Sequence, residues 1–147
     1  MKFVGKKYNS DLSTKEIAAL FRAEVKDLVK KGELPKGLKL SVRYEHFAGG
    51  TSISVKIKEA PFGIRNPEAV ISESKGNYAC KKEYFTADAL ALVKKLEGLL
   101  NAYNFDDSDS MTDYFHVNFD GSVDYDWEVL REEDKIILSG YASLGLD

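Results

Sequence analysis

Four aspartates fall within eight positions in the run NFDDSDSMTDYF: Asp106, Asp107, Asp109 and Asp113, with Tyr114 directly after them. Carboxylates crowded on a loop have three uses. They can ligate a hard cation such as Mg²⁺ or Ca²⁺, which takes oxygen ligands. They can offer charge and hydrogen-bond acceptors to a partner, beside an aromatic ring. Or they can close Asx-turns and cap helices of their own chain. An EF-hand loop needs Gly at its sixth position and Glu at its twelfth. Counted from Asp106, those positions hold Met111 and Val117, so that motif is excluded. Other carriers of chemistry are sparse. His46 and His116 are the only histidines, too few for a multi-histidine metal site, and Cys80 is the only cysteine. One cysteine allows neither an intrachain disulfide nor a multi-cysteine zinc site; its expected state is an inert, partly buried thiol. There is no Walker A sequence, no dinucleotide fingerprint and no nucleophile elbow. No cofactor is expected.

Charge is distributed unevenly along the 147 residues. The net value of −3 comprises +5 over residues 1–46, +2 over residues 47–100 and −10 over residues 101–147. Such polarity marks a basic or acidic partner surface, or two parts that lie side by side and neutralise each other. The acidic run together with Asp124, Asp126 and Glu128 could imitate a row of phosphates and steer a basic nucleic-acid-binding protein. The opposite idea is nucleic-acid binding through Lys15, Arg22, Lys26, Lys30 and Lys31. Glu16, Glu24 and Asp27 interrupt that set, and a pI of about 5.5 is far from the basic footprint of a nucleic-acid binder. No apolar run approaches the ~18 residues of a membrane span, and MKFVGKKYNS has no apolar signal core. The expectation is a cytoplasmic protein with no membrane partner.

These residues must be positioned by a fold. Hydrophobic residues make up 44% and charged residues 31%, a globular composition. Without a linker or repeat, residues 1–147 read as a single domain. Ser13 and Glu16 form a capping box at the start of a helix whose apolar stripe is Ile17, Leu20, Phe21, Val25, Leu28 and Val29. Leu38–Tyr44 and Ser52–Lys58 alternate with period two and predict an antiparallel hairpin, with EHFAGGT as a longer loop. PEAVISESKG reads as a short helix opening on Pro67, with a strand around Ala69–Ile71 as the alternative. Thr86 caps a second long helix carrying Leu90, Val93, Leu96, Leu99, Leu100 and Tyr103. Phe115–Phe119 and Val123–Val129 alternate around Asp120–Gly121, a type I′ turn signal, and predict a second hairpin. REEDK reads as a turn and KIILS as a last short strand. The expected architecture is α+β and two-layered. An antiparallel sheet of about four to five strands, built from two hairpins, carries two long helices on one face. Its open face would show Lys39, Arg43, Lys56 and Lys58 against His116, Asp124, Asp126 and Glu128, so that opposite charges meet across strands.

The stretch KGLKLSVRYEHFAGGTSISVKI resembles the core of the large polyvalent protein-associated domain, type 29. Leu40–Arg43 match its "K-F-S-V-R" strand, and Gly49, Gly50, Ser52 and Ile53 match its "G-x-S-I" turn and strand. The later acidic element of that family is similar to Tyr103, Asn104, Asp106, Asp107, Ser108, Asp109, Thr112, Asp113, Tyr114 and Phe115 here. The resemblance covers roughly residues 12–120. It departs after Ile57, where Lys58-Glu59-Ala60-Pro61 replaces an aromatic followed by Gly-Pro. It implies an α+β accessory module of phages, plasmids or conjugative elements, without established catalysis. The expected function is therefore a non-enzymatic interaction module serving host take-over or anti-defence. It would bind a protein partner through Asp106, Asp107, Asp109, Asp113 and Tyr114. Two alternatives stay open: a metal-assisted hydrolase using the same carboxylates, and a nucleic-acid-binding accessory protein using the basic N-terminal part.

Overall fold

The computed structural model describes residues 3–108 and 117–145. Among these the order is β1 (Phe3–Val4), α1 (Thr14–Lys30), β2 (Lys39–Phe47), β3 (Gly50–Glu59), α2 (Pro67–Ser74), a 3₁₀ turn (Lys81–Tyr84), α3 (Ala87–Asn101), β4 (Phe105–Asp106), β5 (Asp120–Tyr125) and α4 (Trp127–Ser143). The fold is α+β.

Local signals explain most of these boundaries. Ser13 accepts from the Glu16 amide while the Glu16 side chain accepts from the Ser13 amide, so two orphan donors of α1 are satisfied at once. Asn66 caps α2 behind Pro67, and the Thr86 hydroxyl accepts from the Ala89 amide at the start of α3. The hairpin turns in two residues, Ala48 and Gly49, so EHFAGGT is not a long loop. Gly49 takes φ +99°, which a side chain would strain, while Gly50 already belongs to β3.

The main sheet runs β2-β3-β5, and β5 lies parallel to β3. The second hairpin is therefore not turned at Asp120–Gly121, and Phe115 and His116 of its expected first strand lie outside the described residues. Asp120–Gly121 opens a strand instead of turning one. Gly121 serves close packing: a Cβ there would stand 3.1 Å from the Phe119 ring and 3.2 Å from Leu100. Strands in parallel need a long crossover, which residues 60–119 provide. Trp127 and Val129, expected in a strand, belong to α4, as do REEDK and KIILS. A separate two-residue ladder joins β1 to β4, antiparallel.

Register puts Val42, Val55 and Val123 side by side, with Ile53, Ile57 and Tyr125 on the same face. That face packs on Ile17, Phe21 and Val25 of α1 and on Ala89, Leu92, Leu96 and Leu100 of α3. Helices α1 and α3 thus cover one face, with their stripes rotated: Leu20 and Leu90 are exposed, and Leu92 is core. Among the described residues the main sheet has three strands instead of four to five, and α4, as long as α1, is a third long helix. The opposite face carries the charges. Lys56 meets Asp124 at 3.5 Å and Lys58 meets Asp126 at 3.2 Å. Lysines of the middle segment and aspartates of the C-terminal part neutralise each other here, across a parallel pairing that the sequence pattern does not predict. Glu128 falls in the first turn of α4 and so leaves the sheet face; His116 lies outside the described residues. The α2 helix packs against α4, which has no fully buried residue. Among the described residues, no helix is long and apolar enough to cross a membrane.

Candidate functional site

The acidic run leaves α3 at a junction built around Asn104, the one buried polar residue among the described residues. Its side-chain amide donates to the Phe119 carbonyl at 2.9 Å, and its Oδ1 accepts from the amides of Phe105 and Phe119 at 2.9 and 3.2 Å. A buried amide side chain with both ends satisfied locks two chain segments together. Asn118 adds two bonds: its amide donates to the Phe105 carbonyl and its side chain to the Tyr103 carbonyl. The Thr51 hydroxyl, next to the hairpin turn, donates to the Asn118 carbonyl at 3.3 Å. Residues 104–106, residues 117–119 and the tip of the β2–β3 hairpin therefore meet in one place.

Between them lies a groove of about 500 Å³. Phe47 and Val117 contribute exposed apolar surface, at 52% and 39%. Asp106 and Asp120 contribute carboxylates, and among the described residues no Lys or Arg lines the groove. The arrangement is an acid-edged concavity with an aromatic at its rim. It can recognise a cationic, partly apolar segment by charge and contact. Among the described residues, no three His, Cys, Asp or Glu side chains gather closely enough to hold an ion.

The sequence-derived site residues divide three ways. Asp106 lines the groove, but one of its oxygens serves its own chain. Oδ1 accepts from the Ser108 amide at 2.9 Å, an Asx-turn, and that hydrogen bond holds the carboxyl below the usual aspartate range. Asp107 is exposed and has no partner among the described residues. Asp109, Asp113 and Tyr114 lie outside the described residues. Phe47, Thr51 and Asp120 were missed. Phe47 had a legible signal, since an aromatic at the end of an alternating strand beside Gly-Gly falls at a hairpin tip. Asp120 was hidden by its reading as half of a turn.

Two further expectations change. Asp124 and Asp126 are engaged by lysines, so they do not extend the acidic surface towards a row of phosphates. Cys80 is exposed instead of partly buried. Comparison with known proteins adds no relative: no family model, curated protein or solved structure matches the chain.

Proposed function

We propose that this chain is a non-enzymatic protein-interaction module that takes a basic, partly apolar segment of a partner into the groove at the hairpin tip. Exposed Phe47 beside Asp106 and Asp120 is the observation that carries this reading. Buried anchors dominate interface energy, and a large ring at a concave rim is such an anchor. The carboxylates of Asp106 and Asp120 supply orientation and on-rate. Asp106 keeps its turn bond while lining the groove, so capping and recognition share one side chain. The resemblance to the type 29 domain supplies the setting: the cytoplasm of a host carrying a phage, plasmid or conjugative element, in take-over or anti-defence.

The test compares three immobilised proteins in host lysate: the wild type, Phe47→Ser, and the double variant Asp106→Asn/Asp120→Asn. Asn keeps the Asx acceptor, so the turn survives. A protein retained by the wild type, lost by both variants, and bound about tenfold more weakly by each in calorimetry supports the reading. Equal retention by all three, at unchanged melting temperature, ends it.

A further inference from the structure

A second groove, of about 550 Å³, lies between α1 and the start of β2. Its floor is aliphatic: Val25 and Val29 from the helix, Leu38 and Leu40 from the chain entering and forming the strand. Its rim is basic: Arg22, Lys26 and Lys30 from α1, Lys39 from β2. No carboxylate lines it among the described residues. Lys39 is shared with Glu59 at 3.3 Å, while Lys26 and Lys30 have no partner among the described residues. No β3 residue lines the groove either, so it opens past the outer edge of β2. That edge matters because β2 ends the sheet and has no strand on its other side among the described residues. Arg22 donates to the Val42 carbonyl of this edge, a hydrogen bond from outside the β2–β3 pair. The site is at the opposite end of β2 from the acidic groove, roughly 25 Å away along the strand.

We propose that this groove binds an acidic, extended peptide segment of a partner protein, added as a strand beside β2. Three features choose that occupant. The four cations select a segment rich in Asp and Glu and raise its association rate. The aliphatic floor takes the alternate apolar side chains that an extended strand directs to one side. Apart from the Val42 carbonyl, which Arg22 already engages, the edge offers main-chain hydrogen bonds, the usual source of affinity in strand addition. A nucleic acid fits less well, because no aromatic ring in the lining could stack a base. This proposal is independent of the acidic groove: the two sites share no residue and take opposite charge.

The probe is a fluorescein-labelled, end-blocked peptide of sequence Glu-Val-Glu-Ile-Asp-Val-Glu, titrated by anisotropy into the full chain. Controls are the same peptide with Lys for every acid, the same peptide with Pro for the central Ile, and a short single-stranded DNA. The acidic peptide is expected to bind at least about tenfold more tightly than either control peptide. The double variant Lys26→Gln/Lys30→Gln, which keeps helix propensity, is expected to weaken it about tenfold. Amide resonances of residues 38–42 should shift on binding. Equal binding of acidic and basic peptides, no binding, or tighter binding of the DNA with the same lysine dependence would overturn the proposal. So would a concentration-dependent dimer abolished by the two Gln substitutions, which would put a second copy in the groove.

Discussion

Arg65 and Asp134, far apart in the chain, form a two-bond pair: Nε to Oδ1 at 2.9 Å and Nη2 to Oδ2 at 3.1 Å. The neighbouring Glu133 accepts from the amides of Ile64 and Arg65 at 2.8 and 2.9 Å. The Arg65 guanidinium also lies over the rings of Tyr84 and Phe85, 5.7 and 5.2 Å from their centroids. Helix α4 is thus fixed to the 63–66 loop by polar groups, with Val129 and Leu130 adding apolar contact. A bidentate arginine pair of this kind sets direction as well as energy.

Replacing Glu133 with Ala should cost about 1–3 kcal/mol, because two part-buried amides lose their acceptor. Glu133→Gln keeps the oxygen and should cost less. Asp134→Ala should cost about 1 kcal/mol, and a double-mutant cycle with Arg65→Ala should show coupling. Urea midpoints of the set measure this.

Gly5→Ala should destabilise by roughly 1–3 kcal/mol. Its Cβ would collide with the carbonyl oxygens of Ala102 and Asn101. The N-terminal segment cannot back away freely, since the Gly5 amide donates to the Asn104 carbonyl at 2.8 Å and the Lys7 amide to the Ala102 carbonyl at 2.7 Å. Thermal unfolding of the variant checks this, with faster amide exchange at Gly5 and Lys7 as the local signature.

Tyr125 donates its hydroxyl to the Ala89 carbonyl at 2.7 Å, and burial pushes that hydroxyl well above the ordinary tyrosine range. A folded-state value raised above the unfolded one stabilises below the unfolded pKa, about 10, and is lost as pH rises further. Tyr125→Phe should therefore cost about 0.5–1.5 kcal/mol at neutral pH. It should also flatten the alkaline fall in stability, which denaturant midpoints at neutral and strongly alkaline pH would show.

Asp106 gives the opposite sign. Its carboxyl is lowered by the bond from the Ser108 amide. The associated stability is present above the unfolded value, near 3.9, and is lost as pH falls through the folded value. A carbon-detected titration should place Asp106 below that reference. A midpoint at or above it would mean that the turn bond is not kept in solution.

The misread C-terminal region shows why sequence pattern ran out where it did. Val129, Leu130, Ile137, Leu138 and Tyr141 have helical spacing, but Glu133 and Asp134 break the stripe at its centre. Those two acids face inward because Arg65 and the 64–65 amides, far away in sequence, receive them. Alternation from Val123 to Val129 then looked like one continuous strand, although it ends at Tyr125. Asp120–Gly121 carried a turn signal because glycine permits turns; it also permits the close contact with Phe119 and Leu100 that the fold uses. At the site, Asp106 and Asp107 stand out in the sequence as unusual carboxylates, but only Asp106 lines the groove, and its meeting with Phe47 and Asp120 depends on Asn104, Asn118 and Thr51.

Local chemistry was therefore written in the chain itself. Caps at Ser13 and Thr86, the period-two strands β2 and β3, a hairpin at Gly49–Gly50 and the split of charge all follow from neighbours a few residues apart, where propensity and periodicity act. The parallel placement of β5, the inward turn of two acids on α4 and the grooves at the two ends of β2 required tertiary structure. Each is set by contacts between distant segments, and their free energy is absent until the core has closed.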